Sequence, residues 1–219
     1  MPKVFVSGGG GCYGPHKAYG VECTNFSEFR DHPEQFSMLV IPGGADVDPS
    51  LYGHQQHPQT SMSSRQDAMD VAAYNVAQAH GIPCVGICRG GQFLIAMAGG
   101  FLFQHVTNHG QTHLAITFEG ANFEVTSCHH QMFGMPLPEK AQLLAWSTVR
   151  RSRCYEVGYG EGFAPPVEPE CVYLPTINAI ATQWHPEWME HTSPGRQFHE
   201  FVVEKHLKSL VVKRFKSLE

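Results

Sequence analysis

In the first half of the chain, three apolar runs end in glycine. Lys3-Val4-Phe5-Val6-Ser7 leads into Gly8-Gly9-Gly10-Gly11, and Ser37-Met38-Leu39-Val40-Ile41 into Pro42-Gly43-Gly44. Pro83-Cys84-Val85-Gly86-Ile87 leads into Cys88-Arg89-Gly90-Gly91. Runs with no polar alternation suit strands buried on both faces of a parallel sheet. Between the second and third runs, Ser64 caps a helix reaching about Ala79, with Ala68, Met69, Ala72, Val76 and Ala79 on one face. Gly81-Ile82-Pro83 stops it. Residues 90–98 are apolar nearly all round, which predicts a deeply buried helix. The first helix is reduced to a turn or two near His16 to Tyr19, and the polar, His-rich residues 53–63 read as a surface loop.

The pattern changes in the second half. Leu114, Ile116 and Phe118, then Phe123 and Val125, alternate with polar residues around Glu119-Gly120-Ala121-Asn122, which predicts antiparallel strands. Cys171-Val172-Tyr173-Leu174 and Ala179-Ile180-Ala181-Thr182 form a hairpin running towards His185. Ser193-Pro194 opens a final helix with Phe198, Phe201, Val202, Leu210, Val211 and Phe215 as its apolar set. Its basic end, Lys213-Arg214-Phe215-Lys216, complements the helix dipole. The expected fold is one α/β domain over residues 1–219. It has three layers: a mainly parallel central sheet flanked by helices, with a small antiparallel extension.

Composition narrows the class. The chain has 219 residues, 42% of them hydrophobic, and a net charge of −5, which argues against nucleic acid or an anionic membrane as partner. No apolar run reaches membrane-spanning length, and Met1-Pro2-Lys3 does not open a signal peptide. Seven cysteines without CxxC spacing indicate neither a disulfide framework nor a zinc cage. A reducing cytoplasm is the expected setting. His105, His109 and His113 recur at intervals of four, but Asn108-His109-Gly110 breaks any helix there, so no metal is expected.

The candidate chemistry lies at the third run. A strand, a sharp turn carrying Cys88 and a helix opening with Gly90-Gly91 would lift the thiol out of the sheet at a helix N-terminus, which favours a thiolate. A thiol nucleophile needs a histidine base, and the base needs a carboxylate to fix its tautomer. His185 and Glu187, in Gln183-Trp184-His185-Pro186-Glu187-Trp188, supply that pair. The Gly8–Gly11 turn has neither a GK[ST] nor a GxGxxG register and reads as a flexible turn.

GICRGGQ and QWHPE together resemble the class I glutamine amidotransferase superfamily, with its GxCxGxQ elbow and distal HPE. IPGGADVDP with Tyr52-Gly53, Gly99-Gly100 leading to Gln104-His105, and Ser127-Cys128-His129-His130-Gln131 resemble its γ-glutamyl-peptide and γ-glutamyl-polyamine hydrolase branch. The resemblance implies a Cys88–His185–Glu187 triad and an oxyanion hole from backbone N–H groups at Gly43, Gly44 and Arg89. It implies substrate contacts from Gln92, His129 and His130, and no cofactor or metal. Residues 147–170 depart from it: Arg150-Arg151-Ser152-Arg153 and Pro165-Pro166 stand where the family has a short acidic hairpin. Those arginines read as a solvated loop or as a site for an anion or a partner. Three functions stay open. One is hydrolysis of a small γ-glutamyl amide. Another is a glutaminase subunit passing ammonia from glutamine to a separate synthetase. The last is a catalytically silent binding protein. A homodimer is also left open.

Overall fold

The structure is a computed structural model that describes residues 1–9, 11–136 and 138–216, with side chains through 212. The basic end of the last helix, expected at 213–216, therefore lies outside the described side chains. In chain order, β1 (Lys3–Val6) and β2 (Val21–Cys23) flank a 3-10 turn at Gly14–Tyr19. Then come α1 (Phe26–Asp31), β3 (Phe36–Ile41), α2 (Ser64–Ala79), β4 (Cys84–Ile87) and α3 (Arg89–Met97). Strands dominate the rest: β5 (Phe101–Phe103), β6 (His105–Val106), β7 (His113–Thr117), β8 (Asn122–Val125), β9 (Met132–Gly134) and β10 (Gln142–Ser147). They continue as β11 (Tyr155–Val157), β12 (Gly160–Glu161), β13 (Pro169–Leu174) and β14 (Ala179–Thr182), before α4 (Pro194–Lys216).

The main sheet has the order β2-β1-β3-β4-β14-β13-β10-β7-β8. From β2 to β14 neighbouring strands run parallel, and from β14 to β8 they are antiparallel. This is the expected α/β class, with the cysteine turn at the carboxyl end of β4, inside the parallel part. Side chains alternate across each strand. Leu39 and Ile41 of β3 join a core with Phe29, Ala73, Ala77 and Phe93 from α1, α2 and α3. Met38 and Val40 join the opposite core, with Val202, Val203 and Leu207 from α4. Helices thus cover both faces, and wholly apolar strands are what such burial demands.

Several local expectations are corrected. Ser63, not Ser64, caps α2, accepting from Gln66 N at 3.4 Å. The buried face of α2 is Asp67, Asp70, Ala73 and Ala77, while Ala68 and Ala79 are exposed. Two carboxylates lie inward because Arg89 waits for them there, a pairing that hydrophobic periodicity cannot reveal. In β7 the inward set is His113, Ala115 and Thr117, so Leu114 and Phe118 face out. In α4 Phe201 is exposed, and Val203 and Leu207 take up the core contact. The 53–63 segment is anchored: Gln104 accepts from His57 N and Thr60 Oγ1 and donates to Gln55 O. α1, absent from the expectations, is capped by Asn25, whose side chain accepts from Ser27 N and Glu28 N.

Candidate active site

The turn after β4 places Cys88 at φ 53°, ψ −111°, a backbone conformation that residues with a Cβ rarely adopt. The surroundings hold it there. Cys88 N donates to Thr182 O at 2.7 Å, extending the β4–β14 ladder, and Cys88 O accepts from Gln92 N at 3.0 Å as α3 begins. A methyl group on Gly90 would collide with the Ile41 carbonyl, so only glycine lets the elbow pack against the end of β3. The Arg89 side chain is buried beneath the turn, forking onto Asp67 and Asp70 and donating through Nε to Ala45 O at 3.1 Å. This ties the Pro42–Ala45 turn to the elbow. Burial raises the pKa of both aspartates, and Arg89 opposes that shift.

After β14 the chain brings His185 to the same cleft. His185 Nδ1 lies 2.7 Å from Glu187 Oε1, and the ring stacks on Trp188 at 3.6 Å between centroids. A carboxylate bound to Nδ1 puts the proton there and leaves Nε2 with its lone pair. Burial would lower the His185 pKa, but the hydrogen bond and charge of Glu187, aided by Cys128, hold it above the ordinary imidazole value. Cys12 donates to the same Glu187 oxygen at 3.5 Å, and burial followed by that carboxylate pushes its thiol up to about 12. It stays protonated as a donor.

Behind the His185–Glu187 pair runs a buried relay. His16 Nδ1 lies 2.9 Å from the Cys12 carbonyl, which can only accept, so His16 Nε2 carries a lone pair. His199 Nε2, at 3.1 Å, must donate to it, and His199 Nδ1 accepts from Thr182 Oγ1 at 3.0 Å.

Two cavities meet at Cys88. The larger, about 660 Å³, is lined by Gly43, Gly44, Arg65, Gln66, His185 and Trp188, among others. The smaller, about 290 Å³, is lined by Ala45, Asp46, Ser61, Gln92, His130 and Gln131; Gly44, Cys88 and Cys128 border both. Cys88, His185, Glu187, Gly43, Gly44 and Arg89 are thus brought together as the sequence suggested. The other expected residues divide. His130 reaches the smaller cavity with Nε2 3.1 Å from Asp46 Oδ2. The Gln92 amide is buried and donates to Gln131 O at 3.0 Å, so it holds the wall of that cavity. His129 also lines the smaller cavity; it is buried, with Nδ1 on Gln131 O at 2.7 Å and Nε2 enclosed without a hydrogen-bond partner. Sequence reasoning missed Gln66, whose Nε2 lies 3.4 Å from Gly43 O, and Gln183, whose Nε2 lies 4.0 Å from Cys88 Sγ. It also missed Cys128, described below. Two of the three loop arginines bond to backbone: Arg150 to Pro165 O within the loop and Arg151 to Asn108 O on the neighbouring segment before β7.

The fold is similar to that of solved glutamine amidotransferases. The crystal structure of a glutamine amidotransferase from Thermotoga maritima superposes with a TM-score of 0.55 at 16% identity, covering 99% of this chain and 93% of that one. The Trypanosoma brucei CTPS glutaminase domain gives 0.58 at 13% identity, covering 97% and 94%. At those identities the likeness concerns fold. In sequence, the Peptidase C26 family model matches residues 24–119. A glutamine amidotransferase-like YvdE homolog of Lactococcus lactis subsp. cremoris is 31% identical over 43% of this chain and 62% of its own length. YvdE of L. lactis subsp. lactis is 27% identical over 68% and 65%. The chain spans less than two thirds of these relatives. The chain is thus similar to Peptidase C26 over residues 24–119, to glutamine amidotransferase-like relatives over part of their length, and to solved glutamine amidotransferases in fold. Among the described residues, no helix is long and apolar enough to cross a membrane.

Proposed function

We propose that this chain hydrolyses a γ-glutamyl amide bond with Cys88 as nucleophile. The observation that carries the reading is the His185 Nδ1–Glu187 Oε1 bond of 2.7 Å, which frees Nε2 in the cleft that holds the strained Cys88 turn. In this reading His185 takes the thiol proton and Cys88 attacks the amide carbonyl. Backbone N–H groups at Gly44 and Arg89 stabilise the oxyanion, at about 3–4 kcal/mol per donor. His185 then protonates the departing amine, and water, activated by the same imidazole, hydrolyses the glutamyl-thioester. The smaller cavity, with His130 and Asp46, takes the glutamyl group, and the larger one takes the leaving amine.

A second reading, a glutaminase subunit feeding a synthetase, draws support from the likeness to a CTPS glutaminase domain and to glutamine amidotransferases. The volume on the leaving-group side favours a leaving group larger than ammonia. The test is glutamate release from a panel of γ-glutamyl amines and from glutamine by the purified chain, with Cys88→Ala as control. The hydrolase reading expects a γ-glutamyl amine to turn over well above glutamine, with all turnover lost in Cys88→Ala. Cleavage of glutamine alone would replace it with the second reading.

A further inference from the structure

His109, His129 and Glu170 come from three separate segments: the loop before β7, the corner after β8, and β13. Each offers a ligand atom, and the three atoms lie within 4.8 Å of one another; all three residues are buried. Their hydrogen bonding is incomplete in a particular way. The Gln131 carbonyl 2.7 Å from His129 Nδ1 can only accept, so the proton is on Nδ1 and the buried Nε2 presents a bare lone pair. Glu170 Oε1 is held by His113 Nε2 at 2.8 Å, while Oε2 is buried without a hydrogen-bond partner. Neither nitrogen of His109 makes a hydrogen bond either; its nearest carboxylate oxygens, on Glu168 and Glu170, lie 3.4 and 3.9 Å away. His109 has one N–H to offer, too few for the His129 Nε2 lone pair and the free Glu170 oxygen together, and a buried acceptor left unmatched is costly unless a cation sits among them.

We propose that His109, His129 and Glu170 form a structural site for a divalent transition-metal ion of the zinc class. Two imidazole nitrogens and one carboxylate oxygen suit zinc better than the all-oxygen preference of calcium or magnesium. The outer contacts fit as well. A ligating histidine usually donates its other N–H to a carbonyl, as His129 does, and a ligating carboxylate is itself hydrogen-bonded, as Glu170 is by His113. The ion would join the 127–131 corner to β13 and to the loop at 109. That corner already leans on His109, whose carbonyl accepts from Ser127 Oγ and His129 N. It carries Cys128 against His185 and His130 against Asp46, so the ion would fix one wall of the cleft without touching substrate.

The test uses the full chain, stripped with a chelator and dialysed against zinc chloride, with bound metal measured by elemental analysis. Because Cys88, Cys128 and His185 could also capture zinc, a Cys88→Ser/Cys128→Ser variant is measured alongside. The site predicts about one zinc per chain in both proteins, with affinity at least about tenfold weaker in His109→Gln and His129→Gln, and weaker also in His113→Gln. Cobalt loaded into the cysteine variant should show the visible absorption of a low-coordinate nitrogen–oxygen site. If the histidine variants do not fold, thermal unfolding of the stripped cysteine variant decides, since zinc must raise its midpoint. No zinc retention by wild type, zinc lost with the cysteines but kept without His109, or no thermal shift would each overturn the proposal.

Discussion

His185 Nε2 lies 3.4 Å from the Sγ of Cys128, a second thiol at the mouth of the site. Cys128 and Cys88 border the same two cavities, so both sulfurs share the cleft with the imidazole. The proximity of Cys128, then burial, pushes the Cys88 thiol well up, and the proximity of Cys88 pulls Cys128 down. Cys128 thus draws on the imidazole that Cys88 needs.

Replacing Cys128 by alanine should therefore ease catalysis. Only neutral His185 can accept a proton, so kcat/KM should rise with pH through a His185 pKa above the ordinary 6.5. Cys128 helps to raise that value, so in Cys128→Ala the rise should move to lower pH, and activity below neutrality should increase. A pH–rate profile of the two proteins checks this, and an unmoved or alkaline-shifted profile in the variant would refute it.

The backbone at Cys88 supplies a second expectation. At φ 53° and ψ −111° any side chain is strained, and only glycine adopts the conformation freely. Cys88→Gly should be more stable than Cys88→Ala by about 1 kcal/mol, with both inactive. Urea denaturation of the pair measures the difference; equal stabilities would mean that the turn relaxes.

Arg89 joins the elbow to α2. Its partners Asp67 and Asp70 are both buried, and removing one leaves the guanidinium charge poorly matched. Asp70→Asn should cost about 3–5 kcal/mol of stability. The amide has one acceptor oxygen where the carboxylate has two, so Ser7 Oγ and Arg89 would compete for it. Arg89→Lys, lacking the fork, should lower both stability and kcat, because the Ala45 carbonyl is released. A loss below about 1 kcal/mol in Asp70→Asn, measured by denaturant titration, would show that the pair is not a structural anchor.

Acid should attack the α4 side first. Burial lowers the His16 pKa from 6.5 to about 4, and burial followed by His16 holds His199 well below its ordinary value. Below pH 6.5 the unfolded chain therefore binds protons that the folded chain refuses. Stability should fall as pH drops from about 6.5 to about 4, by up to about 3 kcal/mol from His16 alone. Denaturant titrations at pH 7 and pH 5 test the sign, and His16→Gln should flatten the difference.

What could be read in the sequence was whatever the chain states locally. The elbow around Cys88 and the His185–Glu187 pair are contiguous motifs, and a wholly apolar run such as Phe36–Ile41 has few places to go but the middle of a sheet. The inward placement of Asp67 and Asp70 was not legible because their partner is Arg89, on another helix. The His109–His129–Glu170 cluster was invisible for the same reason: the i+4 histidine spacing offered ligands only on a helical face that Asn108-His109-Gly110 breaks, while the actual meeting runs across a loop, a corner and a strand. The phase of β7 misled because its inward residues include His113, which β-sheet alternation sorts as polar and which Glu170 draws inside.

The relay from Thr182 through His199 and His16 to the Cys12 carbonyl has one permitted sense. A carbonyl at its end cannot donate, so every proton along the line has its place assigned. Passing a proton through would require all three links to reverse together, against that fixed end. The region beneath α4 therefore holds two neutral imidazoles in fixed tautomers, set by a single carbonyl at the end of the line.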